Sequence, residues 1–230
     1  IPLGIVLAAR GQTVAEDAGV KLSDEIPTEG GDVKIAKIKP DVHVRDYERK
    51  TGRKTMTVRK GYEMSSNYIF QRLVKDNYAS EPKKLIDNLY RYRFGEAFDF
   101  DLQGLATPVL PSPDSEHWTM TDLASVAIGY AVAETPLHIL TFYNAIANKG
   151  RMMRPYIVES VEKDGRIVKK KGPSVLNGAV CSREVADSLT SGLLSITSEG
   201  TASRLKDAKL RVAGKTGTAW VYMDPTQASK

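Results

Sequence analysis

The sequence predicts an α+β domain, and three observations carry that prediction. Several segments repeat apolar residues at helical spacing, while others alternate apolar and polar residues over a few positions. The two kinds of segment mix along one continuous chain. No internal repeat or low-complexity linker interrupts it, so residues 1–230 read as a single domain.

Taken in order, Ile1 to Arg10 reads as a buried helix stopped by Gly11. From Asp32 to Asp46 the pattern is extended: Val33, Ile35, Ile38, Val42 and Val44 alternate mostly with polar residues, broken at Pro40. Thr57 caps a predicted helix running to Met64, and a second helix follows Asn67 with Ile69, Phe70, Leu73 and Val74 on one face. Ser80 and Pro82 open another, with Leu85, Ile86, Leu89 and Tyr90 on one face. The Pro-, Ser- and Asp-rich stretch Leu105 to Trp118 predicts a surface loop, followed by a short helix around Leu123 to Ile128. Thr135 then caps a long helix with Pro136 at its first position, displaying Leu137, Leu140, Ala145 and Ile146 and closing on Gly150. Tyr156 to Lys171 predicts a hairpin turning on Asp164-Gly165, with Ile157-Val158 and Ile167-Val168 flanking the turn. Ser182 caps a helix carrying Val185, Leu189, Leu193 and Ile196, and Leu210 to Met223 is β-prone.

Composition narrows the function classes. Hydrophobic residues at 41% and charged ones at 27% are those of a globular chain rather than a disordered one. The net charge of +5 comes from basic residues interleaved with acids, which suits solubility and selects no anionic partner. Cys181 is the only cysteine, and His43, His117 and His138 form no close pair, so neither a disulfide framework nor a zinc or di-iron site is expected. No run of about 18 apolar residues is present, and Ile1 to Ala9 lacks the basic start and cleavage signature of a signal peptide. The chain opens in an apolar segment and stops in a polar tail, the pattern expected of a piece of a longer protein.

Three short motifs stand out. In Lys215-Thr216-Gly217-Thr218-Ala219 a cation and hydroxyl donors lie along one predicted strand, with a glycine that lets a ligand approach the backbone. A phosphate loop would need glycine five residues before Gly214, where Lys209 stands. Taken alone, the run reads as a glycine-containing edge strand rather than a site. Ser65-Ser66-Asn67 breaks two apolar-periodic segments; it offers a proton-relaying hydroxyl and an amide, or merely a helix cap at Ser66 or Asn67. Glu199-Gly200-Thr201-Ala202 reads locally as a helix stop.

The order of these motifs changes their meaning. Ser-x-Asn followed more than a hundred residues later by Lys-Thr-Gly resembles the site grammar of penicillin-binding proteins and serine β-lactamases. Gly129-Tyr130, Thr135-Pro136-Leu137, the run Tyr143 to Gly150, Pro155, and the pair Glu199 to Ala202 and Ala213 to Ala219 resemble the penicillin-binding transpeptidases, class B above all. His138 and Trp220 stand where relatives often carry glutamine.

That resemblance implies a penicillin-binding/serine β-lactamase-like fold, an antiparallel sheet flanked by helices, here incomplete. It implies a peptidoglycan D,D-transpeptidase that cross-links stem peptides through a serine acyl-enzyme and is acylated by β-lactam antibiotics. Ser65, Asn67 and Lys215 would be catalytic, and Thr216, Gly217 and Thr218 would bind substrate. No metal or organic cofactor and no nucleic acid are implied. The partners would be stem peptides, β-lactams and the membrane-embedded glycosyltransferase, division or elongation machinery at the extracytoplasmic face of the membrane. The nucleophile motif Ser-x-x-Lys should precede Ser65, yet Ser80-Lys83, Ser160-Lys163 and Ser203-Lys206 all follow it. These three are read as coincidences, and the serine and lysine are expected just upstream of Ile1. A non-catalytic β-lactam sensor or inactive relative is the alternative, and an unrelated basic binding module is a more distant one. The transpeptidase reading requires Ser65, Asn67 and Lys215 to lie within about 10 Å of one another.

Overall fold

The computed structural model describes residues 19–35 and 38–217. The expected helix from Ile1 to Arg10 lies outside these residues, as does the end of the β-prone segment from Thr218 onward.

Strand β1 (Glu25–Pro27) pairs antiparallel with β2 (Thr55–Thr57), matching Ile26 to Met56. Between them stands helix α1 (Val42–Thr51), which corrects the expectation of an extended run to Asp46. Val42 and Val44 are spaced like alternating strand residues, but Val42 is 53% exposed and Val44 fully buried. Half-buried Tyr47 joins Val44 on the inner face at i+3, a helical interval. Asp41 decides the matter, because its carboxylate accepts the His43 N–H and starts the helix directly after Pro40. The buried Val33 and Ile35 and the half-buried Ile38 keep the non-helical backbone expected of this region.

Helix α2 (Val58–Glu63) starts on Thr57, whose hydroxyl accepts the Lys60 N–H at 3.1 Å. Helix α3 (Asn67–Tyr78) starts on Ser66 and buries Ile69, Phe70, Leu73 and Val74 as the periodicity requires. Each such side chain removed from water contributes about 1.5–3 kcal/mol. Helix α4 (Pro82–Arg91) buries Leu85, Ile86 and Leu89, whereas Tyr90 remains 41% exposed at the edge of the expected face. After the loop, α5 (Met120–Ala127) opens on Thr119, whose N–H and hydroxyl both reach the Asp122 carboxylate at 2.8 Å. Helix α5 packs against α3.

Helix α6 (Pro136–Ala147) starts at Thr135 as expected, but Leu140 is 56% exposed. The buried face instead carries His138, Thr141, Phe142, Ala145 and Ile146. Phe142 meets the rings of Tyr92 and Phe94 at centroid distances of 5.9 and 5.4 Å, which ties α6 to the end of α4.

Strand β3 (Met152–Met153) pairs with β6 (Val175–Asn177), and β4 (Ser160–Lys163) with β5 (Arg166–Lys170). Asp164 and Gly165 both take positive φ, 52° and 71°, as the expected two-residue hairpin turn demands. Ile157 and Val158 belong to no strand; their N–H groups go to the Asp101 carboxylate at 2.8 and 2.9 Å. Helix α7 (Arg183–Ser198) is capped by Ser182, buries Leu189, Leu193 and Ile196, and leaves Val185 half-buried. It packs against both α2 and α6.

Among the described residues the antiparallel sheet is three separate two-stranded ribbons. Residues 211–217, expected as a strand, form no ladder. They run beside α7 instead, where the Gly214 N–H donates to the Leu193 carbonyl and the Val212 carbonyl accepts from the Thr197 hydroxyl. A strand needs a neighbour to pair with, and here its nearest neighbour is a helix.

Candidate active site

The break between α2 and α3 builds the centre of the site. Helix α2 closes on Met64, and Ser65 turns the chain by adopting φ +55°, a left-handed conformation that a serine rarely takes. The turn is held from both sides. The Ser65 N–H donates to the Tyr62 carbonyl at 3.2 Å and the Ser66 N–H to the Gly61 carbonyl at 2.8 Å. The Ser66 hydroxyl is buried as the cap of α3, which settles the choice between Ser66 and Asn67 and frees Asn67 for another role.

The C-terminal end of α7 comes to the same place. The Thr201 N–H donates to the Glu63 carbonyl at 3.0 Å, so the Glu199-Gly200-Thr201-Ala202 turn lies directly on the end of α2. Gly200 makes this approach possible: a Cβ there would stand 2.6 Å from the Glu63 oxygen and 2.8 Å from the Ile196 Cα.

Residues 214–217 complete the arrangement. The Lys215 ammonium donates to the Ser65 Oγ and, at 3.2 Å, to the Thr216 carbonyl. The Thr201 and Thr216 hydroxyls lie 2.9 Å apart, and the Ser65 Oγ is 3.3 Å from the first and 3.4 Å from the second. Three hydroxyls and one ammonium therefore form a continuous hydrogen-bonded group from three separate parts of the chain. Burial lowers the Lys215 pKa to about 8, because the charged form is poorly solvated there.

The three hydroxyl residues line a cleft of about 540 Å³, together with Asn67, His43 and Tyr130. The Oδ1 of Asn67 is buried and has no hydrogen-bond partner among the described residues. An amide oxygen left in this way is an unsatisfied acceptor on a residue that lines the cleft. A cation, hydroxyls and an amide suit a peptide with a free carboxylate.

Ser65, Lys215 and Thr216 are thus brought into contact, and Asn67 lines the same cleft. Gly217 is exposed beside them, and Thr218 lies outside the described residues. Thr201 is the member that residue-level reading missed. Its segment stood out, but a helix stop accounted for it, and only the fold carries its hydroxyl to Ser65. His43, weighed only as a metal ligand, gave no signal that it would line the cleft.

A family model described as the penicillin binding protein transpeptidase domain matches residues 15–230. The chain belongs to that family. Among the relatives of this transpeptidase domain is stage V sporulation protein D of Bacillus subtilis, 32% identical over 146 residues, which are 62% of this chain and 22% of that protein. Penicillin-binding protein PbpB of Mycolicibacterium smegmatis is 27% identical over 60% of this chain and 22% of its own. The match thus spans about a fifth of each curated relative. The fold agrees with the D,D-transpeptidase domain of an Eggerthella lenta peptidoglycan glycosyltransferase, with TM-score 0.77 and 24% identity over 95% of this chain and 52% of that one. It agrees equally with penicillin-binding protein A of M. tuberculosis, solved as an imipenem acyl-enzyme complex, with TM-score 0.78 and 20% identity over 95% and 48% of the two chains. The α+β transpeptidase-domain fold expected from the motifs is therefore present, in incomplete form.

The three later Ser-x-x-Lys matches take no part in the cleft. Ser80-Lys83 leads into α4, Ser160-Lys163 makes up the exposed strand β4, and Ser203-Lys206 covers a short 3-10 turn and the residue after it.

Proposed function

We propose that the intact protein is a peptidoglycan D,D-transpeptidase that works through a serine acyl-enzyme and is a target of β-lactams. The observation that carries this reading is the contact of Lys215 with Ser65, which lines a cleft together with Thr216 and Asn67.

In this mechanism the nucleophilic serine belongs to a Ser-x-x-Lys motif outside residues 1–230. Its Oγ attacks the carbonyl of the penultimate D-alanine of a stem peptide, and its proton passes to the lysine of that motif. The C–N bond then breaks, and Ser65 relays a proton to the nitrogen of the departing D-alanine. The amine of a second stem peptide attacks the ester, forms the new amide and releases the serine. Asn67 accepts from the substrate's backbone amide. Lys215 supplies positive potential, Thr216 and Thr218 bind the terminal carboxylate, and Gly217 lets the substrate lie against the backbone. The Thr218 N–H and that of the nucleophile stabilise the oxyanion. The glycosyltransferase, division or elongation partners and the extracytoplasmic location belong to the same proposal. Among the described residues no helix is long and apolar enough to cross a membrane.

Labelled penicillin tests it. The full-length protein is expected to become covalently labelled and to turn over a D-Ala-D-Ala peptide, whereas the 230-residue chain alone stays unlabelled. Stable labelling of that chain would overturn the external nucleophile. Labelling of the full-length protein without peptide turnover would make it a sensor rather than an enzyme.

A further inference from the structure

Asp41 lies 24 positions before Ser65 and belongs to none of the motifs, yet its carboxylate joins the starts of two helices. Oδ1 accepts the His43 N–H at 2.9 Å and caps α1. Oδ2 accepts the Ser66 hydroxyl at 2.9 Å and the Tyr68 N–H at 3.2 Å. The Ser66 Oγ in turn accepts the Ile69 N–H at 3.3 Å, so two of the orphan donors that open α3 depend on this pair of side chains. Negative charge here also faces the positive ends of both helix dipoles.

The carboxylate is itself held in place. The Asp41 N–H donates to the Gly31 carbonyl at 2.9 Å, and a Cβ on Gly31 would stand 2.5 Å from the Asp41 carbonyl oxygen. The Tyr68 hydroxyl donates to the Pro27 carbonyl at 2.8 Å, which fixes the first turn of α3 against the same segment. Ser66 is therefore gripped from behind while its two neighbours face the cleft. Ser65, left-handed, reaches Lys215, and Asn67 lines the cleft.

We propose that Asp41 is a positioning residue for the transpeptidase site: through Ser66 it sets the placement of the Ser65 hydroxyl and the Asn67 amide. This rests on the function proposed above for Ser65 and Asn67. The Asp41 carboxylate bonds to His43, Ser66 and Tyr68 and acts on Ser65 and Asn67 only through the residue between them.

The separating variant is Asp41→Ser. A serine still caps α1 by accepting the His43 N–H, but it is too short to reach Ser66 and Tyr68. In the full-length protein, Asp41→Ser and Ser66→Ala are each expected to slow acylation by labelled penicillin at least tenfold, at a temperature where circular dichroism shows all proteins folded. The double variant should be no slower than the worse single one, because both break the same link. The pH profile of Lys215 modification by an amine-reactive reagent, read by mass spectrometry, should shift in Asp41→Ser as Ser65 moves away. Asp101→Asn, which loosens a hairpin root outside the cleft, should acylate at the parental rate. Parental acylation and an unshifted Lys215 profile in Asp41→Ser would overturn the proposal, as would equal slowing by Asp101→Asn. If Asp41→Ser does not fold, Ser66→Ala decides, and a parental rate there overturns it. If the parent protein is not acylated at all, the functional reading fails on its own. The Lys215 profile then decides for Asp41: a shift upholds its positioning role and no shift ends it.

Discussion

Lys215 donates from its ammonium to the Ser65 hydroxyl across 150 positions of sequence. The contact joins the turn between α2 and α3 to the segment beside α7, and it makes the charge of Lys215 a property of the whole fold.

That charge sets a pH dependence of both stability and function. Burial lowers the folded-state pKa of Lys215 to about 8 from an ordinary value of 10.5. Between those two values the unfolded chain holds the proton and the folded one does not, so stability rises with pH across that window. At pH 7 the full cost of burying the charge is present. Lys215→Met is therefore expected to raise the melting temperature at pH 7, with the gain fading as the pH passes 8 and approaches 10.5. The same variant should slow penicillin acylation of the full-length protein by roughly 10²-fold. In the parent, acylation should decline as the pH rises through about 8. Thermal unfolding and acylation rates across pH check both effects, and a melting temperature that falls in Lys215→Met at pH 7 would contradict the burial argument.

Ser65 combines strain with function, and two substitutions separate them. Its φ of +55° is costly for any residue with a Cβ, and glycine relieves it by about 1 kcal/mol. Ser65→Gly should therefore unfold at a higher temperature than Ser65→Ala, while both lose acylation by roughly 10²–10⁴-fold for want of the hydroxyl. Calorimetry beside acylation kinetics gives the comparison, and an active Ser65→Ala would remove the proton relay.

Asp101 anchors the β4–β5 hairpin at its root. Its side chain, 4% exposed, pairs with Lys171 and accepts the Ile157 and Val158 N–H groups. The Lys171 ammonium first, and then these backbone donors, lower its pKa to about 2. A carboxylate depressed in the folded state stabilises fully above its unfolded value of about 3.9, and that contribution is lost as the pH falls through about 2. Amide hydrogen exchange at Ile157 and Val158 should accelerate in Asp101→Asn at neutral pH and in the parent only under strong acid. Unchanged protection in Asp101→Asn would show that the hairpin holds without this carboxylate.

Local chemistry determined much of this from sequence alone. Thr57, Thr135 and Ser182 start helices where their hydroxyls predict it, since a cap and its partner lie three residues apart. Asp164-Gly165 turns the hairpin for the same local reason. The order of Ser65-Asn67 and Lys215 to Thr218 leads to penicillin-binding proteins and serine β-lactamases, and the matches from Gly129 to Pro155 and from Glu199 to Ala219 lead on to the family.

Tertiary structure alone decided the rest. Val42 and Val44 spell a strand by spacing, and the core that buries Val44 and packs against Tyr47 one helical turn on overrides it. Residues 211–217 read as a strand, yet pairing is a property of what lies alongside, and α7 lies there. Thr201 joins Ser65 and Thr216 only because a glycine lets α7's end rest on the end of α2. Asp41 reaches Ser66 over 25 positions, a contact that no local pattern encodes. Caps and turns depend on neighbours in the chain, whereas the site depends on neighbours in space, which is why its residue types could be named from sequence while its wiring could not.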